Sequence, residues 1–262
     1  MKAYEIMEEL FALADRSKFN ETCDTCKAGN PEIEVNKVAV TMFATPDVVR
    51  QAKEWGAQLL ITHEPTYYNH MDVHSDEKIE CEKRKLIEES NITLYRFHDH
   101  PHYTTPDIIY SGELKEMGLS GRIEYTNIFD LVRFHLEQPL TAVELAKILE
   151  ERLQIKHLRI CGAQDIPSTN ISLMCGTPGG VFNELKSEQC QILLVGEACE
   201  WAWAEYARDA AQLGYNKTLI IMGHVGSERD GMKYTAELLK GKHPELDVKY
   251  FECGEVYRYT DD

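Results

Sequence analysis

Positive charge is what this chain has little of. Lysine and arginine together number 28 against 44 acidic residues, a formal net charge of −16. That balance argues against a broad phosphate-binding face, because nucleic-acid binders carry a basic stripe. A local basic pocket is not excluded. Long apolar runs are missing too: no stretch approaches the roughly 20 residues that span a bilayer. The opening "MKAYEIMEELFALADR" is acidic and amphipathic and lacks the apolar core of a signal peptide. There is no G-x-x-x-x-G-K-[ST] phosphate loop, no low-complexity segment and no obvious linker. The eight cysteines are dispersed without framework spacing, which predicts reduced thiols. Cys23-Asp-Thr-Cys26 is one C-x-x-C without the second pair a structural zinc site needs. "ETCDTCKAGNP" reads as loop, so the pair reads as incidental. The expectation is a cytoplasmic protein with no membrane or nucleic-acid partner.

What is present is alternation. "KVAVTMFA" (37–44) is β-rich. "TPDVVRQAKEWG" (45–56) opens on Thr45 as N-cap with Pro46 behind it and closes at Gly56, the two end signals of a helix. "QLLITH" is the next strand, 75–90 a charged surface helix, "ITLYRFH" (92–98) a strand and 106–119 a helix. The second half repeats the style. It has a strand over 127–137 and a helix over 141–153 with a Thr141/Glu144 capping box. Strands follow at "KHLRICG", "ISLMCG" and "QILLVGE", then a helix over 199–214. "KTLIIMGH", a helix over 227–241 and "DVKYFE" complete it. The pattern predicts an α/β protein with mostly parallel or mixed sheets flanked by helices. Two lobes are expected, 1–124 and 125–262, divided near the polar stretch 119–126.

Three apolar runs end in histidine: "LLITH" at His63, "TLYRFH" at His98 and "LIIMGH" at His224. Ligands of open α/β sheets bind outside the carboxyl ends of the strands. Neighbouring parallel strands would raise all three histidines at one sheet edge. Each has ligand-type company: Glu64; Asp99, His100 and His102; Glu228. His224 and Glu228, four apart, share one side of a first helical turn if a helix begins there. Imidazole with carboxylate suits zinc, iron, manganese or nickel. One ion needs three or four ligands, and the surplus favours two ions with a bridging carboxylate. Some of "FHDHPH" must lie behind the direct ligands. His70 and His74 read as residues of a solvated loop, and His135, His157 and His243 as structural or exposed. Glu197 reads either as a proton-handling acid near the site or as a helix N-terminal acid. "CGTPGGVFNE" (175–184) is a Gly-rich turn that approaches a ligand or is simply tight. Tyr67-Tyr68 is open between pocket wall and packing.

"LLITHEP", "YRFHDHPH", "VGEACEWAWAEYARDAAQLG" and "IIMGHVGSERDGMKY" resemble, in order, the motifs of the NIF-three-like family. Its members are also labelled GTP cyclohydrolase I type 2 homologs or dinuclear metal centre proteins. The resemblance covers nearly the whole chain. It implies a two-lobed fold with two divalent ions between the lobes, and a toroidal homohexamer with its metal sites facing an internal cavity. By position, His224 and Glu228 match the family's final ligands and His63 its first. Glu64 stands where a second histidine is usual. His98 fits the middle motif's histidine, and His102 falls where its aspartate is expected. Glu228 or Asp99 would then take the bridging role, with His100 an extra candidate. The exchanges are opposite in sign, so the ligand charge is nearly conserved. The implied activity is a metal-dependent hydrolase acting on a nucleotide or other small molecule. The alternative is a metal-binding or regulatory protein without turnover.

Overall fold

The computed structural model describes residues 1–260. By contact the chain falls into two units, one of Met1–Gly112 with the chain from Gly231 on, the other of Glu113–Asp230.

The first unit opens with helix α1 (Ala3–Phe11), strand β1 (Cys26–Ala28) and strand β2 (Lys37–Thr41). Helix α2 (Pro46–Trp55), strand β3 (Leu59–Thr62) and helix α3 (Lys78–Ser90) follow. Strand β4 (Thr93–Arg96), the single turn α4 (Asp99–His102) and helix α5 (Ile108–Met117) come next. The second unit holds β5 (Gly121–Tyr125), β6 (Val132–Leu140), α6 (Ala142–Leu153), β7 (Arg159–Gly162) and β8 (Ser168–Met174). Then come α7 (Val181–Lys186), β9 (Ile192–Val195), α8 (Glu205–Gln212), β10 (Thr218–Ile221) and α9 (His224–Lys242). The final strand, β11 (Asp247–Tyr250), belongs to the first unit's sheet. The unit divisions fall inside α5 and α9.

The first sheet runs β1-β4-β3-β2-β11, parallel throughout except for β1. β3 and β4 are buried at every residue, as strands covered on both faces must be. Ala39, Leu60 and Leu94 meet Val48, Val49 and Ala52 of α2 and Ile87 of α3 in one apolar cluster. Tyr67 joins this cluster, and burial pushes its hydroxyl up to about 12. Packing is therefore the role of Tyr67, while Tyr68 is exposed.

The second sheet runs β5-β6-β8-β9-β10-β7, with β8, β9 and β10 parallel and the rest antiparallel. Leu193, Val195, Leu219 and Ile221 pack with Val181, Leu185 and Ala207 of the flanking helices. The α/β expectation is met, with mixed sheets.

Local signals explain many boundaries. Thr45 Oγ1 accepts the Val48 N–H, Pro46 occupies the first turn of α2, and Gly56 ends it in the left-handed region. Thr141 and Glu144 form the reciprocal capping box at α6.

Several expectations are corrected. The strand placed at 127–137 starts at Val132, after a turn. The polar stretch 119–126 contains the exposed edge strand β5. The helix placed at 199–214 begins as a wide π turn, Glu200–Ala204, before α8. Cys26, read as loop, belongs to β1. β6 loses its regular register between His135 and Leu140, where Pro139 has no N–H to donate.

A charged pair ties α7 to the second sheet. Arg133 Nε and Nη2 donate to the two oxygens of Glu184 at 2.9 and 2.8 Å, and Ser172 Oγ donates to the same carboxylate at 2.6 Å. Burial would raise the Glu184 carboxyl, but these partners outweigh it and hold it below the ordinary value. The stabilisation is present above the unfolded carboxylate range and is lost as pH falls through the lowered folded value. Glu184→Gln is expected to cost about 3 kcal/mol at neutral pH. In acid denaturation followed by circular dichroism, the gap to wild type should close as pH drops below about 4.

Candidate metal centre

In the first unit, the site begins where β3 and β4 end side by side. Thr62 pairs with Arg96, and the Phe97 N–H donates to Thr62 O at 2.8 Å, so His63 and His98 leave the same end of adjacent strands. The N–H groups of His63 and Glu64 both donate to Met42 O, at 3.1 and 2.9 Å, which fixes the turn after β3. Arg96, fully buried, donates from Nε to His63 O at 3.0 Å.

The side chains then converge. The His63 and His98 rings stack with centroids 4.7 Å apart. Glu64 Oε1 lies 3.9 Å from Nε2 of each. Ligands about 2.0–2.2 Å from one ion stand about 3–4 Å from each other, so this spacing fits a shared cation. The His102 ring is 5.4 Å from that of His63 and 5.8 Å from that of His98.

The second unit supplies His224 and Glu228 on the first turn of α9, after the left-handed Gly223. His224 Nε2 and Glu228 Oε2 are 3.2 Å apart. Gly176 lies so close to Glu228 that a Cβ there would sit 2.5 Å from its carboxylate oxygen. The Gly-rich turn therefore makes room for an acidic side chain of the chain itself.

One expectation is corrected: the three histidines do not rise from one sheet. β3 and β4 are neighbours in the first sheet, whereas β10, ahead of His224, belongs to the second. The reason is topological, since β10 pairs with β9 and β7.

The protonation pattern suits metal ligation. His63 Nδ1 donates to Phe97 O at 2.9 Å, His98 Nδ1 to Asp99 Oδ1 at 2.9 Å and His102 Nδ1 to Asp107 Oδ2 at 2.9 Å. His224 Nδ1 donates to Glu197 Oε1 at 2.7 Å. Each acceptor is a carbonyl or carboxylate, so Nδ1 carries a proton in all four. Metal-binding histidines are commonly oriented in this way.

The other candidates lie behind these. Asp99 uses both oxygens within the protein, accepting from His98 on one and from Thr22 Oγ1 and the Cys23 N–H on the other. Burial would raise its carboxyl; the His98 and Thr22 hydrogen bonds outweigh that and hold it well below the carboxylate range. His100 is buried, with Nδ1 2.7 Å from Asp24 Oδ2 and its ring 4.3 Å from that of Phe11. Glu197 Oε1 lies 2.7 Å from His224 Nδ1 and is its hydrogen-bond partner. Glu197→Gln replaces an anionic acceptor with a neutral one. Metal affinity, measured by competition with a chelator, should fall about 10–100-fold with the melting temperature nearly unchanged.

Three contributors were not singled out from the sequence. Asp24 accepts from the backbone N–H groups of His98 and His100 at 2.6 and 2.8 Å. Asp107 caps α5, taking the Ile109 and Tyr110 N–H groups on one oxygen and His102 on the other. The second is a readable signal, an aspartate just ahead of a helical pattern. The third is His70, placed in a solvated loop; it is exposed, but its ring packs edge-on to His98 with centroids 5.3 Å apart. His135, bonded to Asn170 and Glu124, and His243, bonded to Glu9 and Glu245, are structural as expected.

The fold and these side chains define a class: an α/β protein with imidazole and carboxylate clusters of metal-binding type. Within that class the chain belongs to the Duf34/NIF3 (NGG1p interacting factor 3) family, whose profile matches residues 1–255. A relative named GTP cyclohydrolase 1 type 2 homolog, from Clostridium perfringens, is 22% identical over 235 residues, covering 87% of this chain and 86% of its own. One of the same name from Pyrococcus abyssi is 26% identical over 215 residues, covering 80% and 81%. Among solved structures, a Bacillus cereus protein related to NIF3 superposes with a TM-score of 0.80 at 13% identity, covering 99% of each chain. A protein named ybgI, of unknown function, gives 0.82 at 17% identity over 98% of this chain and 100% of its own. Among the described residues no helix is long and apolar enough to cross a membrane.

Proposed function

We propose that this chain is a dinuclear metal protein acting as a hydrolase on a nucleotide or related small molecule. His63, Glu64, His98, His102, His224 and Glu228 are its metal ligands. The observation that carries the reading is the shared state of four histidines. Each holds its Nδ1 proton against a fixed acceptor, the orientation in which histidines commonly ligate a cation through Nε2. Carboxylates accompany these nitrogens, Glu64 beside His63 and His98, and Glu228 beside His224. Asp99 and Glu197 hold imidazole protons, and Glu228 is the bridging candidate.

Two divalent ions of the zinc, iron, manganese or nickel type would supply Lewis acidity and lower the pKa of water. The substrate class, a purine nucleotide, rests on the relatives' name, GTP cyclohydrolase 1 type 2 homolog. With no phosphate loop in the sequence, nucleotide phosphates would be held by the ions and side chains. A toroidal hexamer in a reducing cytoplasm completes the proposal, the latter consistent with eight free cysteines.

The test is turnover by metal-loaded protein against a panel of nucleoside triphosphates and phosphoesters. The expected result is turnover of a purine nucleotide that His224→Ala abolishes. Full metal occupancy without turnover on any member would overturn the hydrolase and leave a binding or regulatory protein.

A further inference from the structure

The second sheet ends at β5, and among the described residues no strand pairs with its outer side. The register against β6 fixes which backbone groups face outward. The Glu137 N–H donates to Ser120 O at 3.0 Å, so Ser120 and every second residue after it turn their N–H and C=O toward β6. Arg122 and Glu124 do so, whereas Gly121, Ile123 and Tyr125 present theirs to the free edge.

The side chains divide between the two faces in the same alternation. Tyr125, Ile123 and Gly121 stand opposite Val132, Phe134 and Leu136, all of them buried. Cross-strand partners share a face, so this is the apolar face of the sheet. It runs out uncovered, with Ile123 38% and Tyr125 48% exposed. Ile128 and Phe129, in the turn beyond β5, are exposed as well. Arg122 and Glu124 lie on the other, polar face, 3.8 Å apart.

Charges on an edge strand usually block pairing. Here they are opposite in sign and symmetric about Ile123. When two copies pair antiparallel about Ile123, Arg122 of each falls opposite Glu124 of the other. Ile123 meets Ile123, Gly121 meets Tyr125, and every outward N–H of these residues gains a carbonyl. The charged pairs then occupy the non-hydrogen-bonded positions, where side chains approach most closely. Sliding the register by two residues would set Arg122 against Arg122 or Glu124 against Glu124, so the charges select one register.

We propose that β5 is a self-pairing edge that joins two copies of this chain in an antiparallel ladder, with a two-fold axis at Ile123. The pairing names one interface of the proposed hexamer and needs neither its metals nor its activity.

The test is the mass of the full chain by light scattering after size exclusion, with circular dichroism to follow the fold. Wild type should be an even-numbered oligomer. Ile123→Pro removes an outward N–H and leaves the β6 ladder intact. Arg122→Glu sets like charges opposite each other twice. Each variant should weaken association roughly tenfold or more and give a species of half the wild-type mass or less, with its circular dichroism unchanged. Glu124→Arg should do the same. An equimolar mixture of Arg122→Glu and Glu124→Arg should regain the wild-type mass, because every charged pair across the two-fold is then complementary. Glu124 also holds His135 at 3.1 Å and Arg133 at 3.6 Å, so if Glu124→Arg does not fold, Ile123→Pro and Arg122→Glu decide. A monomeric wild type, or a mixture of folded variants that stays dissociated, would overturn the pairing. A hexamer that Ile123→Pro and Arg122→Glu both leave intact would overturn this interface and leave the assembly standing. A dimer that both variants split would support it and count against the hexamer.

Discussion

Asp24→Ala is expected to cost about 3–5 kcal/mol of stability and to abolish tight metal binding by the histidines that follow β4. Asp24 accepts the His98 N–H at 2.6 Å, the His100 N–H at 2.8 Å and the His100 Nδ1 proton at 2.7 Å. It is buried. Burial would raise its carboxyl, but these hydrogen bonds prevail and lower it, so the group is an anion at neutral pH. Hydrogen bonds to a charged acceptor are worth roughly 1.5–3 kcal/mol each, and the donors left behind would be buried without an acceptor. The contributions are not additive, which keeps the expected total well below their sum. His98 caps the turn α4 and His102 ends it, so its loosening reaches two proposed ligands at once. Chemical denaturation gives the stability, and chelator competition gives the affinity. Asp24→Asn, which keeps one acceptor oxygen, should fall between wild type and alanine in both.

The second large effect is expected at the paired exchange, Glu64 and His102. Glu64→His removes a negative charge from the ligand set, and His102→Asp adds one. Each alone should weaken metal retention. Glu64 is buried beside His63 and His98, and His102 packs against the same two rings. The double variant restores the charge and the pattern usual in the family, so it should recover most of the loss. A coupling of about 1–3 kcal/mol is expected, from metal dissociation constants in a double-mutant cycle. Additive losses would show that the two departures are independent.

Much of this molecule was legible in its sequence for local reasons. Thr45-Pro46 with Gly56, and Thr141 with Glu144, mark helix ends by hydrogen bonds between near neighbours. The apolar Leu59-Leu60-Ile61 run read directly as a buried strand. His63, His98 and His224 stood out because ligand-type residues follow each of them. What was not legible depends on distant pairing. Nothing local says that β10 joins a different sheet from β3 and β4. Asp24 lies 74 residues from the His98 N–H it accepts. His70 looked solvated because its loop is polar, and the long-range Arg96 contacts to His70 O and Asp72 were not readable. The C-x-x-C pair read as incidental, and Cys26 bonds within β1 to Ala28 O.

The most direct test is anomalous diffraction from crystals of gently purified, metal-supplemented protein, recorded across the absorption edge of the bound ion. The account predicts two strong peaks per chain. Each should lie about 2.0–2.2 Å from histidine Nε2 atoms, with His63, His98, His102 and His224 all engaged and every Nδ1 still on its protein acceptor. No peak at these residues, or ions bound through Nδ1 with Asp99, Asp107 and Glu197 displaced, would contradict it.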